Sequence, residues 1–178
     1  MIALSEIKVV NCYNYFVTKC SPTQRRNMQK VLQGIKVYNK TGQELSLKNI
    51  IDSNHKVAFV IVFNRNQNTK HFCKVWSAKL DKISNGTLKV YKILAFKTAM
   101  DDVFKSSFDN AMKSFCQDDR DENVFAIYGN CAKKVYNASK LKTEDMVSVA
   151  VFGEDKSLVF LHSDAYNENA VKSLEKAV

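Results

Sequence analysis

The 178-residue chain carries 27 Lys and Arg against 18 Asp and Glu, a formal charge of +9, with 46% hydrophobic and 25% charged residues. That is the composition of a globular protein long enough to bury its own core, and it excludes disordered, collagen-like and coiled-coil classes. No apolar run approaches the roughly 18 residues that a membrane-spanning helix needs.

Residues 1–33 read as a helical lead-in. Ser21-Pro22-Thr23 breaks the chain and starts a helix, because proline suits the first helical turn, and apolar residues then recur at helical spacing through Leu32. Ile35–Tyr38 alternates as a short strand closed by the turn residues Asn39–Gly42, and Leu45–Ile51 is expected as a short helix or turn. Val57–Phe63 is an unbroken apolar run rich in β-branched residues, which predicts a central strand buried on both faces. The polar loop Asn64–Asn68 follows, then a helix over Thr69–Ile83 and a strand over Leu88–Phe96, a β-α-β unit whose two strands should be parallel. Further on, a helix is expected from Val103 to Phe115, then an acidic loop at Asp118–Glu122 and a strand at Val124–Tyr128. A helix over Cys131–Tyr136, a hairpin of Val147–Phe152 with Leu158–His162, and a helix over Asn167–Val178 complete the chain.

The five cysteines, Cys12, Cys20, Cys73, Cys116 and Cys131, are odd in number, and no two stand two or three residues apart. Structural zinc sites need such pairs, so reduced, packed thiols are the simplest reading, with a Cys12–Cys20 disulfide as the alternative in an oxidising compartment. His55, His71 and His162 lie in different elements, no glycine-rich loop could cradle a phosphate, and the sequence calls for no metal or cofactor. The N-terminus lacks the pattern of a secretory signal. A cytoplasmic location is expected if the chain is complete, and mitochondrial matrix or periplasm if a leader has been removed.

The element order, together with two stretches, resembles the thioredoxin-like superfamily. Gly42–Leu47 followed by His55–Phe63 resembles the opening of peroxiredoxin-type proteins, and Val147–His162 with the closing helix resembles their last hairpin and helix. The resemblance implies an α/β three-layer sandwich, a mixed central sheet flanked by helices, over residues 34–178, with residues 1–33 as a helical N-terminal extension. Catalytic members carry a reactive cysteine in the loop after the first core strand and a cis-proline before the hairpin. Here the loop is Asn64–Thr69, the residues before the hairpin are Glu144-Asp145-Met146, and the chain's one proline is Pro22. A degenerate member is therefore expected, and Val75-Trp76-Ser77 with the hairpin resembles the thioredoxin-like assembly-factor family of mitochondrial ATP synthase. Val103–Ser107 resembles a stretch of a periplasmic thioredoxin-like family without redox cysteines.

Three functions remain open on these residues. The first is a redox-inactive protein that binds another protein or assembles a complex through Arg65, Asn66, Asn68, Lys70 and Lys74, with Arg25 and Arg26 adding to a basic surface. The second is a thiol peroxidase or oxidoreductase using Cys73, activated by His71 and nearby lysines, although positions two apart do not face each other on a helix. The third is RNA or ribosome binding. It rests on the charge distribution: residues 1–100 hold 17 Lys and Arg and four Asp and Glu, a net of +13, and the remainder nets −4.

Overall fold

The computed structural model describes residues 20–97, 110 and 123–178. The expected helix over Val103–Phe115, the acidic loop, the lead-in up to residue 19, Cys12 and Cys116 lie outside the described residues. In chain order the elements are α1 (Pro22–Gln33), β1 (Lys36–Tyr38), β2 (Glu44–Ser46), α2 (Leu47–Ile51), β3 (Lys56–Val62) and α3 (Gln67–Ser84). These are followed by β4 (Leu88–Phe96), β5 (Val124–Tyr128), α4 (Gly129–Ser139), β6 (Val147–Phe152), β7 (Leu158–Asp164) and α5 (Glu168–Glu175).

The strands form one mixed seven-stranded sheet in the order β2-β1-β5-β4-β3-β6-β7. β3, β4 and β5 are parallel, and the outer pairings are antiparallel. β3 is central, as its run of apolar residues predicts, and its side chains alternate between two layers. Val57, Phe59, Ile61 and Phe63 pack with Met28 and Leu32 of α1, Ile51 of α2 and Val135 of α4. Ala58, Val60 and Val62 pack with Cys73, Trp76 and Leu80 of α3 and Val171 and Leu174 of α5. The result is a three-layer α/β sandwich.

Caps and turns explain most of the boundaries. Ser21 accepts the Gln24 N–H at 3.2 Å ahead of Pro22, and Asn167 accepts the Ala170 N–H at 2.7 Å to start α5. The stretch expected as a helix or turn at Leu45–Ile51 divides at Ser46: Leu45 pairs opposite Val37 in a hairpin, and the helix begins at Leu47. That hairpin is shaped by Asn39, whose side-chain oxygen accepts from the N–H groups of Thr41 and Gln43 at 3.0 and 2.9 Å, while Gly42 takes φ +80°.

Helix α1 lies within this architecture as part of the first layer, since Met28 and Leu32 are fully buried. Its polar residues also close an edge. Gln29 accepts the Leu158 N–H at 3.1 Å and donates to the Lys156 carbonyl at 3.4 Å, and Arg25 Nη1 donates to the Val159 carbonyl at 3.3 Å. The first groups of edge strand β7 are thereby removed from pairing with another chain. No described helix is long and apolar enough to cross a membrane.

Candidate functional site

The parallel strands β3, β4 and β5 each reach an aromatic residue at or just past their last position: Phe63, Phe96 and Tyr128. Their common direction brings these three ends to one side of the sheet. The loop after β3 is fixed there by Asp145, which leads into β6. Its Oδ1 accepts from Asn64 Nδ2 at 2.7 Å and from Asn66 Nδ2 at 2.6 Å, and the side-chain oxygen of Asn66 caps α3 by accepting the Thr69 N–H at 2.9 Å. The cap explains why α3 begins at Gln67, ahead of the expected Thr69. Buried Thr69 donates its hydroxyl back to the Asn64 carbonyl at 2.7 Å, so the turn is held from both sides.

Between the two asparagines, the chain presents Arg65. Its guanidinium carbon sits 4.2 Å from the centroid of Phe96, and Phe96 stacks on Tyr128 at 5.1 Å, which meets Tyr38 edge-on at 5.6 Å. Partial burial lowers the Arg65 pKa, with Tyr128 opposing that shift, and the group stays cationic at any ordinary pH. On the other face of the same sheet end, Lys97 lies 4.1 Å over the ring of Tyr136, which meets Phe63 edge-on at 5.2 Å, and Lys97 pairs with Glu144. Two cation–aromatic pairs therefore flank a hydrogen-bonded clamp. The cation–aromatic contacts are each worth about 0.5–1 kcal/mol at such exposed positions.

Of the residues singled out from sequence, Arg65, Asn66, Asn68, Lys70 and Lys74 gather at this end, on the loop and the first two turns of α3. Arg65, Asn68 and Lys74 are exposed and Asn66 and Lys70 are half-buried. Arg25 and Arg26 do not join them. Arg25 binds Val159, next to Leu158, which pairs with Phe152, itself opposite Val57 near the start of β3, so α1 places its arginines toward the opposite end of the sheet. Cys73 is 3% exposed and packs with Trp76 and Leu80, whereas His71 is exposed on another face of the helix. Cys20, Cys73 and Cys131 form no disulfide among the described residues. Among the described residues no three potential metal ligands converge and no peptide bond is cis.

Sequence reasoning missed Asp145, Lys97, Glu144 and the aromatic set. Asp145 lies 81 and 79 residues from its two asparagine partners, a contact with no local signal. The aromatic ends carried a signal, since three apolar stretches each close on an aromatic residue, Phe63, Phe96 and Tyr128.

No protein-family model matches the sequence, and no curated protein matches it. Solved structures do match. The copper-bound ScoI of Arabidopsis thaliana superposes with a TM-score of 0.53 at 14% identity, covering 80% of this chain and 94% of that one. The thioredoxin domain of a thiol-disulfide oxidoreductase from Bacteroides vulgatus gives 0.51 at 10% identity, covering 80% and 91%. A secreted disulfide oxidoreductase of Mycobacterium tuberculosis gives 0.50 at 11% identity, covering 84% and 98%. The fold is thioredoxin-like.

Proposed function

We propose that this chain is a thioredoxin-like binding protein without thiol turnover, and that it docks a partner protein at the ends of β3, β4 and β5 around Arg65, in the assembly of a larger complex. The observation that carries this reading is the pre-set loop. Two asparagines locked on Asp145 hold Arg65 against Phe96, and no cysteine stands in that loop. A cation fixed before binding loses less conformational freedom on docking than a mobile one, and its planar donors match a carboxylate. The partner surface is therefore an acidic segment. Burial of Cys73 in the α3 layer supports the same reading, since a thiol nucleophile needs access and a stabilised thiolate.

The test is affinity capture from cells of the source organism with the tagged full chain and with Arg65→Glu, followed by mass spectrometry. Loss of a captured protein on charge reversal is the expected result, and capture that ignores the reversal places the docking surface elsewhere. In parallel, maleimide labelling across pH, with peroxide and insulin-disulfide assays, should show no turnover. A Cys73 that labels rapidly at low pH and supports turnover would overturn the reading.

A further inference from the structure

A second concave site lies where β7 runs between α1 and α5, away from the sheet end described above and independent of the function proposed there. It is a cavity of about 270 Å³ lined by Phe160, Leu161 and Ala170 together with Arg25, His162 and Lys176, and no Asp or Glu lines it among the described residues. Neither Arg25 nor Lys176 is in an ion pair among the described residues. Arg25 spends one donor, Nη1, on the Val159 carbonyl, which orients the guanidinium and leaves its other N–H groups for a ligand.

The remaining polar groups narrow the chemistry. Cys20 also lines the cavity, and burial raises its thiol pKa against the opposing effect of Arg25, so it stays protonated at neutral pH and is no nucleophile. His162 donates Nε2–H to the Ala165 carbonyl at 2.9 Å, which leaves Nδ1 as an acceptor. An incoming strand is excluded at the start of β7, because the Leu158 N–H and the Val159 carbonyl are already taken by Gln29 and Arg25. A cationic ligand would meet two cations and no acid. A bare, strongly hydrated dianion gains nothing from the apolar lining.

We propose that this cavity binds an amphipathic monocarboxylate, a small acid whose carboxylate lies between Arg25 and Lys176 and whose short apolar tail lies against Phe160 and Ala170, which share one face of the sheet. Charge-assisted hydrogen bonds supply orientation, and the apolar lining supplies area.

The probe is octanoate, titrated into the full chain at low salt and followed by amide NMR and calorimetry, with octanol and inorganic phosphate as controls. Octanoate should shift the amides of Phe160–His162 and Ala170–Ala177 and bind at least about tenfold tighter than either control, one charge-assisted contact being worth that factor. Arg25→Leu and Lys176→Met should each weaken it severalfold. Lys176 is an exposed residue at the end of α5, so its variant decides the matter even if Arg25→Leu fails to fold. The proposal is overturned if octanol binds as well as octanoate, if phosphate binds as tightly, if the shifts fall elsewhere, or if Lys176→Met leaves octanoate affinity unchanged.

Discussion

At the scale of single residues, His162 shows how packing sets a charge. Its ring lies 5.3 Å from Trp76 and 6.5 Å from Phe160, and burial lowers its pKa below the usual histidine range, while the Ala165 carbonyl and Asp164 pull the other way. A lowered native pKa means that the unfolded chain takes up a proton before the folded one does. Stability from this group is therefore complete above the unfolded value of about 6.5 and is lost as pH falls from there through the native pKa. Urea midpoints measured between pH 8 and pH 5 should fall for the native chain, and His162→Gln should flatten that fall whatever its effect on absolute stability. A pH dependence of equal size in the variant would assign the loss to other groups. The same residue marks a limit of sequence reading: His162 stands at the end of the apolar run Leu158–Leu161 that predicts a strand, but nothing local predicts that Trp76, 86 positions earlier in the chain, is its neighbour.

At the scale of elements, legibility followed periodicity. Val57–Phe63 announced a central strand because burial on both faces requires an apolar side chain at every position, and the α3 stripe of Trp76 and Leu80 announced the layer that covers it. What stayed hidden was the pairing. Nothing in Glu44-Leu45-Ser46 separates a three-residue edge strand from the start of a helix until Val37 is placed opposite Leu45. Helix α1 makes the point most sharply, since its apolar spacing reveals a buried face, but its polar face carries a role that only the fold exposes. Gln29 uses both halves of its amide, accepting the Leu158 N–H at the start of β7 and donating to the Lys156 carbonyl in the turn before it. Gln29→Ala leaves the Leu158 N–H without that partner and should cost about 1–3 kcal/mol, the penalty for an unsatisfied, partly buried donor. Met28→Ala one position earlier removes a fully buried side chain and should cost about 2–5 kcal/mol. Chemical denaturation of both variants checks the pair, and a Gln29→Ala protein as stable as the parent would show that water replaces the amide without loss.

At the scale of the whole molecule, the basic residues described between 20 and 97 are divided between the two ends of the sheet. Arg25 faces β7 at one end of the sheet and Arg65 faces Phe96 at the other, while Lys36 and Lys97 are engaged by Glu44 and Glu144. Helix α3 carries Lys70, Lys74, Lys79 and Lys82 against one acid, Asp81, over 18 residues and hence about 27 Å. Lysines spread in this way around one helix attract polyanions without reading them. With Arg65 included, no more than about five phosphates could be neutralised, so the plot of log affinity against log salt for a single-stranded oligonucleotide should have a slope no steeper than about −3.5. Binding should be independent of base sequence and should vanish near physiological salt. Lys82→Gln and Arg65→Gln should each reduce that slope by about 0.7, whereas only Arg65→Gln should release a captured protein, because Arg65, unlike Lys82, is seated on the aromatic end of the sheet. Oligonucleotide binding that depends on base sequence and survives physiological salt would reverse this assignment and make nucleic acid the partner of the basic half.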